Sequence, residues 1–152
     1  MASADLCSRL QNGALARLRS VPLPSSRAAS SLLSVLLAQG FLHSVSRGSP
    51  AGPNPAAFRT APVPQRRLWA DLKYDGEAQP VLRHLNVVSK PSKRIRLSPE
   101  ELLRLVTGRR AQFVPPLGLG EIAIVDCGEA GWCEAREAIR RGLGGELVAR
   151  AG

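Results

Sequence analysis

The chain has 152 residues, with 21 lysines and arginines against 12 acidic residues and a net charge of +9. That length buries roughly 68–70% of the unfolded chain's surface, enough for one compact domain or two small ones, and so large a charge excess points to a polyanionic partner such as nucleic acid. There is no run of 18 apolar residues to span a membrane, and Cys7, Cys127 and Cys133 form no CxxC pair, with His43 and His84 remote from them, which argues against a zinc site or a disulfide framework.

The charge is uneven. Residues 1–97 hold 14 basic and 4 acidic groups, whereas residues 98–152 hold 7 and 8. The last third must therefore meet a nucleic acid through shape and hydrogen bonds. Eighteen of the cations are Arg, which pairs phosphate bidentately and stacks on bases; a GC-rich genome gives the same bias.

In chain order, Ser3 reads as the N-cap of a first helix reaching Asn12, with Leu6 and Leu10 on one face and Gly13 as its stop, although Ala14–Arg19 could prolong it. Val21–Leu23 reads as a short strand that Pro22 and Pro24 confine to an edge. Ser25 or Ser26 caps a second helix, running to Gln39 with Ala29, Leu32, Leu33, Leu36 and Leu37 inward, and Gly40 ends it. Phe41–Ser46 alternates as a strand. Residues 47–65 contain five of the twelve prolines and two glycines, the composition of an exposed loop or partly disordered excursion inserted between paired strands. Arg66–Tyr74 and Pro80–Ser89 are expected to form a hairpin turning at Asp75–Gly76, with Leu68, Ala70, Leu72 and Tyr74 as its apolar face. Trp69 reads as packing, with stacking on a nucleobase as the alternative.

Arg83, Lys90, Lys93, Arg94 and Arg96 form the densest basic cluster, with no acidic residue among them. It reads as phosphate contact, or else as a solvated edge kept basic against strand pairing. Ser98-Pro99-Glu100-Glu101 is an N-cap, an N1 proline and a capping-box Glu, starting a third helix to Thr107 with Leu102, Leu103 and Val106 apolar. Glu121–Asp126 and Glu146–Arg150 read as strands. Between them, Cys127–Gly131 reads as a tight turn, and Trp132–Arg141 as a short helix with Ala135, Ala138 and Ile139 on one face and Arg136, Arg140 and Arg141 on the other. Such a turn presents free N–H groups at the positive end of the helix dipole, suited to a phosphate or a base edge; an ordinary connection is the other reading. Cys127 beside Asp126 is where a thiol activated by a helix N-terminus would sit, but no base can be identified for it.

These blocks together resemble a known family. GLGGE at Gly142–Glu146, preceded by a strand, a glycine turn and an Ala/Arg helix, is similar to the C-terminal signature of the bacterial-type small-subunit ribosomal protein family eight. DLCSRLQN at Asp5–Asn12 with Gly13, VPLPSS at Val21–Ser26, Gln39-Gly40-Phe41 and VSKPSKRI at Val88–Ile95 match further blocks in order. RRLWADLKY at Arg66–Tyr74 and EAREAIRR at Glu134–Arg141 resemble the mitochondrial, fungal branch. The similarity covers most of the chain outside roughly residues 47–65. Because it begins near Asp5, any import signal is expected to be uncleaved or internal.

The resemblance implies an α/β (α+β) fold of two small packed domains. Residues 1–89 would be α-β-α-β-β with the Pro/Gly-rich loop 47–65, and residues 90–152 a mainly β, RNA-binding domain with short helices; the third helix falls at the family's link between its halves. It implies a structural, non-enzymatic protein of the mitochondrial small ribosomal subunit, bound to the central domain of its ribosomal RNA and to neighbouring ribosomal proteins, with no cofactor, metal, membrane or small-molecule substrate. An RNA-binding regulator acting off the ribosome, or a thiol enzyme using Cys127, are the alternatives. Lys90, Lys93 and Arg94 would position the RNA backbone, and Arg96 stands where relatives generally carry an aromatic. The family's Ser-Thr-Ser-x-Gly turn falls on Cys127, Gly128, Glu129, Ala130 and Gly131, of which only the last glycine is kept; each hydroxyl contact so lost is worth roughly 0.5–1.5 kcal/mol. Arg136 and Arg140 would flank the turn, or form a solvated face with Glu134 and Glu137. Gly144 and Gly145 permit close approach, and Glu146 accepts hydrogen bonds. Arg9, Asn12, Ser26 and Arg27 are secondary candidates in the first half.

Overall fold

In the structure, a computed structural model that describes residues 3–152, the first helix does not stop at Gly13. Among the described residues helix α1 runs Ser3–Leu15, and Gly13 is buried within it. A Cβ there would lie 2.4 Å from Val21 Cγ2. The glycine therefore serves close packing of the helix on strand β1 (Ser20–Pro24). The helix ends instead at Arg17, with φ 57°; the N–H of Leu18 donates to Gly13 O (3.0 Å) and that of Arg17 to Ala14 O (3.1 Å). This is a Schellman motif with arginine in the left-handed position that glycine usually fills.

Two compact units, Met1–Arg83 and His84–Gly152, make up an α+β chain with antiparallel sheets. In the first, Ser26 caps helix α2 (Arg27–Ala38), its side chain accepting from Ala29 N, and Gly40 (φ 83°) lets the chain turn into β2 (Leu42–Gly48). The sheet order is β1-β3-β2, with β3 (Arg67–Leu72) central and the proline-bearing β1 at an edge, as expected. Leu68, Ala70 and Leu72 point inward from β3.

Residues 47–65 are exposed for the most part and include two short helical segments where the sequence suggests a loop. Asn54 caps a short helix, α3 (Pro55–Thr60), with Pro55 pre-set at its first turn. Phe58 draws the guanidinium groups of Arg47 and Arg66 to 5.4 and 5.2 Å from its ring centroid. Trp69 Nε1 donates to Ser49 O at 3.0 Å, so this half-buried indole fastens the excursion to β3.

The expected hairpin of Pro80–Ser89 on β3 is not formed. The turn is reduced to a bridge between Tyr74 and Pro80, and β4 (Leu85–Val87) instead pairs with β8 (Gly145–Ala151) in the second unit. The apolar residues Leu85 and Val87 are distributed as any edge strand would have them, so local pattern does not choose the partner. The second sheet has the order β4-β8-β6-β7, with β5 (Arg96–Leu97) also on β8 and β6 (Ile122–Asp126) and β7 (Trp132–Glu134) forming a hairpin. Trp132–Glu134 is thus strand, not helix. Helix α5 is only Ala135–Arg140, and its N-cap is Glu134, whose side chain accepts from Arg136 N.

Helix α4 (Pro99–Val106) begins with the expected capping box of Ser98 and Glu101. Its inward residues are Leu102 and Leu105, with Val106 partly buried, while Leu103 is about half exposed. With Ala135, Ala138, Ala123, Val125 and Leu147 these form the core that supports the end of the sheet described next.

Candidate nucleic-acid interface

Where β5, the end of β6 and the start of β8 converge lies a cleft of about 260 Å³, lined by Arg96, Asp126, Cys127, Gly128, Gly144, Gly145 and Glu146. The register explains the convergence, since Glu146 is the partner of both Arg96 and Asp126. Two glycines make it possible. A Cβ on Gly145 would lie 2.1 Å from Asp126 O, and one on Gly144 2.6 Å from Leu97 O, distances no real Cβ adopts. Their role is to let three backbones meet, with cleft formation as the consequence.

The turn that follows β6 differs in kind from the one expected. Residues Gly128–Ala130 form one 3-10 turn inside the β6–β7 hairpin, so no helix N-terminus opens there, and the helix-dipole argument for an anion or an activated thiol at this point fails. Cys127 N donates to Gly131 O (2.9 Å), Gly131 N to Gly128 O (3.0 Å) and Gly128 N to Asp126 Oδ1 (2.9 Å). Three of the five N–H groups are therefore spent within the turn. Gly131 has φ 85° and ψ −170°, a conformation essentially closed to other residues. Glu129 and Ala130 are exposed at the tip.

The cleft carries one cation, Arg96, against the carboxylates of Asp126 and Glu146. Such a site disfavours a phosphate and offers acceptors to amino or hydroxyl donors. Beside it stands the basic loop. Lys90 and Lys93 close a tight turn by two backbone bonds, N to O at 3.0 and 2.9 Å, and both side chains are exposed. Arg94 reaches Glu146 at 3.9 Å.

Ser89 holds this loop in place, a role the sequence did not single out. β4 and β5 share one edge of β8; Val88 N still donates to Val148 O and Ile95 O accepts from Leu147 N, both at 2.9 Å, so it is residues 89–94 that leave the ladder between them. Ser89, only 8% exposed, fills the gap. Its hydroxyl donates to Leu147 O at 2.5 Å and accepts from Ile95 N at 3.0 Å.

The other expected residues lie outside the cleft lining. Arg136 is ion-paired with the buried N-cap Glu134 at 3.0 Å, and Arg140 with Glu137 at 3.7 Å on the exposed face of α5. Arg9 and Asn12 are exposed on α1, Arg27 is exposed at the first turn of α2, and the Ser26 hydroxyl is occupied as that helix's cap. All four belong to the first unit.

Cys127 and Cys133 are free thiols with sulfurs 3.4 Å apart. Burial first, and the Cys127 thiol second, push Cys133 up to about 12. Among the described residues no group of three or more His, Cys, Asp or Glu side chains is placed to hold a metal, and no helix is long and apolar enough to cross a membrane.

The profile of the family described as ribosomal protein S8 matches residues 2–151. The chain is 39% identical over 145 residues to the small ribosomal subunit protein uS8m of Schizosaccharomyces pombe, covering 94% of each. It is 38% identical over 154 residues to uS8m of Neurospora crassa, covering 96% of this chain and 94% of that protein. The small ribosomal subunit protein uS8 of Hydrogenovibrio crunogenus is 30% identical over 145 residues, covering 95% and 92%.

Proposed function

This chain belongs to the ribosomal protein S8 family, and we propose that it is a structural constituent of the mitochondrial small ribosomal subunit that binds the central domain of the small-subunit ribosomal RNA. The observation that carries this reading is similarity to fungal uS8m proteins over more than nine tenths of both chains. The geometry supports a division of labour in the second unit. Lys90, Lys93 and Arg94 contact phosphates and fix the register. The cleft between Arg96, Gly128, Gly144 and Glu146 reads bases or 2′-hydroxyls by hydrogen bonds, and the tip residues Glu129 and Ala130 lie against the RNA. Neighbouring ribosomal proteins complete the set of partners.

The test is binding of the full chain to a central-domain fragment of the matching mitochondrial small-subunit RNA across a salt series, beside a triple variant with Lys90, Lys93 and Arg94 changed to Ala. The variant should lose affinity and show a salt slope shallower by at most about 0.7–0.9 per phosphate contact removed. Equal binding of wild type to arbitrary RNA, together with failure to co-sediment with small subunits at high salt, would instead favour a regulator acting off the ribosome.

A further inference from the structure

Phe113 is 77% exposed, an unusual position for a large aromatic side chain, yet the backbone beneath it is firmly held. Ala111 and Val114 bracket it in a closed turn, N to O at 3.2 and 2.9 Å in the two directions, and both are buried in the core of the second unit. Gln112, at φ 51°, anchors the turn from the side, its amide donating to Arg96 O at 2.9 Å and Glu101 Oε2 at 3.0 Å. The ring is thus displayed on a fixed base tied to the strand that carries Arg96. Lys93 Nζ sits 4.4 Å from the ring centroid, so the closed Lys90–Lys93 turn and the closed Ala111–Val114 turn meet through this cation–π contact. Exposed Arg109 and Arg110 lead into the turn. Among the described residues, Lys93, Arg109 and Arg110 have no carboxylate within salt-bridge distance. An exposed ring with an unneutralised ammonium beside it, and two more unneutralised cations three and four residues upstream, suits a ligand that combines a flat π-face with negative charge.

We propose that Phe113 and Lys93 form a stacking platform for an unpaired RNA nucleobase, the base lying on the open part of the Phe113 ring and its adjoining phosphate on the Lys93 ammonium. The proposal rests on the RNA-binding reading above and adds a contact outside the cleft. A neighbouring protein that covered the ring would gain the apolar area but would also have to neutralise the cations around it.

The test uses the full chain labelled with 4-fluorophenylalanine, which gives fluorine signals from Phe41, Phe58 and Phe113. Phe113→Tyr assigns the last by its disappearance. A single-stranded RNA of about eight nucleotides should shift the Phe113 signal and leave in place those of buried Phe41 and of Phe58, whose ring already meets two guanidinium groups. Phe113→Ala should weaken binding to the central-domain fragment about 5- to 150-fold, the range of one base–aromatic stack, with an unchanged salt slope and recovery in Phe113→Tyr. A Phe113 signal unmoved by both RNAs overturns the platform. So does Phe113→Ala binding RNA like wild type while failing to join reconstituted small subunits, which would assign the ring to a protein neighbour. If the short RNA moves the signal but wild type binds the central-domain fragment no better than arbitrary RNA, the platform stands and the ribosomal RNA assignment falls.

Discussion

Ser89→Ala is the most informative single change, because it removes one hydroxyl that serves two hydrogen bonds at the point where the chain between β4 and β5 leaves the edge of β8. The hydroxyl donates to Leu147 O and accepts from Ile95 N, inside the sheet edge and almost out of water. Two net hydrogen bonds are worth about 1–3 kcal/mol. A buried donor left without a partner costs a similar amount, so the two estimates overlap rather than add, and a loss of about 2–3 kcal/mol is expected. With a urea dependence of roughly 1–3 kcal/mol per molar, the unfolding midpoint should fall by about 1 M. The damage should be local first. The Ile95 amide should lose hydrogen-exchange protection before the amides of Ile124 and Ala149, which belong to the paired strands β6 and β8. RNA affinity should fall with little change in salt slope, since every lysine and arginine remains. A midpoint shift below roughly 0.2 M, with Ile95 still protected, would show that the loop is held by something other than this hydroxyl.

Gly145→Ala should be more disruptive than its size suggests, because the added methyl meets the Asp126 carbonyl, which is backbone and cannot swing away. A loss of about 1–3 kcal/mol or more is expected, measured by urea unfolding, together with weakened RNA binding; an innocuous substitution would mean that the two strands are not held this close in solution. Burial pushes Cys7 up to about 12 from its ordinary 9.0. A thiol raised in the folded state favours folding below its unfolded value and loses that contribution as pH rises through the folded one, so stability should decline between about pH 9 and 12 at up to about 1.4 kcal/mol per pH unit per thiol. Cys7→Ala should flatten that limb in a pH series of unfolding midpoints, and an unaltered limb would assign it to other groups.

Local pattern carried the helices because their signals are local. Ser26, Gly40 and the Ser98–Glu101 box act through hydrogen bonds within three or four residues, and each fell where sequence placed it. Strand partners are decided at long range. Leu85–Val87 finds β8 more than 60 residues away in sequence, and nothing between Pro80 and Ser89 encodes that choice. Gly13 shows the same limit, since as a local signal it reads as a stop, whereas the structure uses its missing Cβ to admit Val21. Trp132-Cys133-Glu134 reads as part of the following Ala/Arg helix because the two join without a breaker; only pairing to Asp126, Val125 and Ile124 makes it a strand. Leu105 lies three residues from Leu102 on the inward face of α4, a spacing the sequence does carry. Of the cleft residues, Arg96 is legible from the basic cluster, Cys127, Gly128, Gly144, Gly145 and Glu146 through family resemblance, and Asp126 through neither. Ser89, Gln112 and Phe113 matter through contacts with residues distant in sequence, which no spacing rule reports.

The placement of charge also bears on how this protein would tell one RNA from another. A simply basic turn at this place would give affinity at the expense of discrimination, because phosphates are the same everywhere. The chain does the opposite. Its turn carries no hydroxyl and one carboxylate, Glu129, while Asp126 and Glu146 line the cleft and the cation in that lining is Arg96. A phosphate approaching this surface meets fixed negative charge, whereas an exocyclic amino group or a 2′-hydroxyl meets acceptors held in place by paired strands. The cations proposed to draw RNA in stand outside the cleft lining, Lys90 and Lys93 on one closed turn and Arg109 and Arg110 leading into the other. On the proposed reading attraction and recognition fall to different residues, so substitutions in the basic loop should change the salt dependence of binding and substitutions in the cleft should change which RNA is bound.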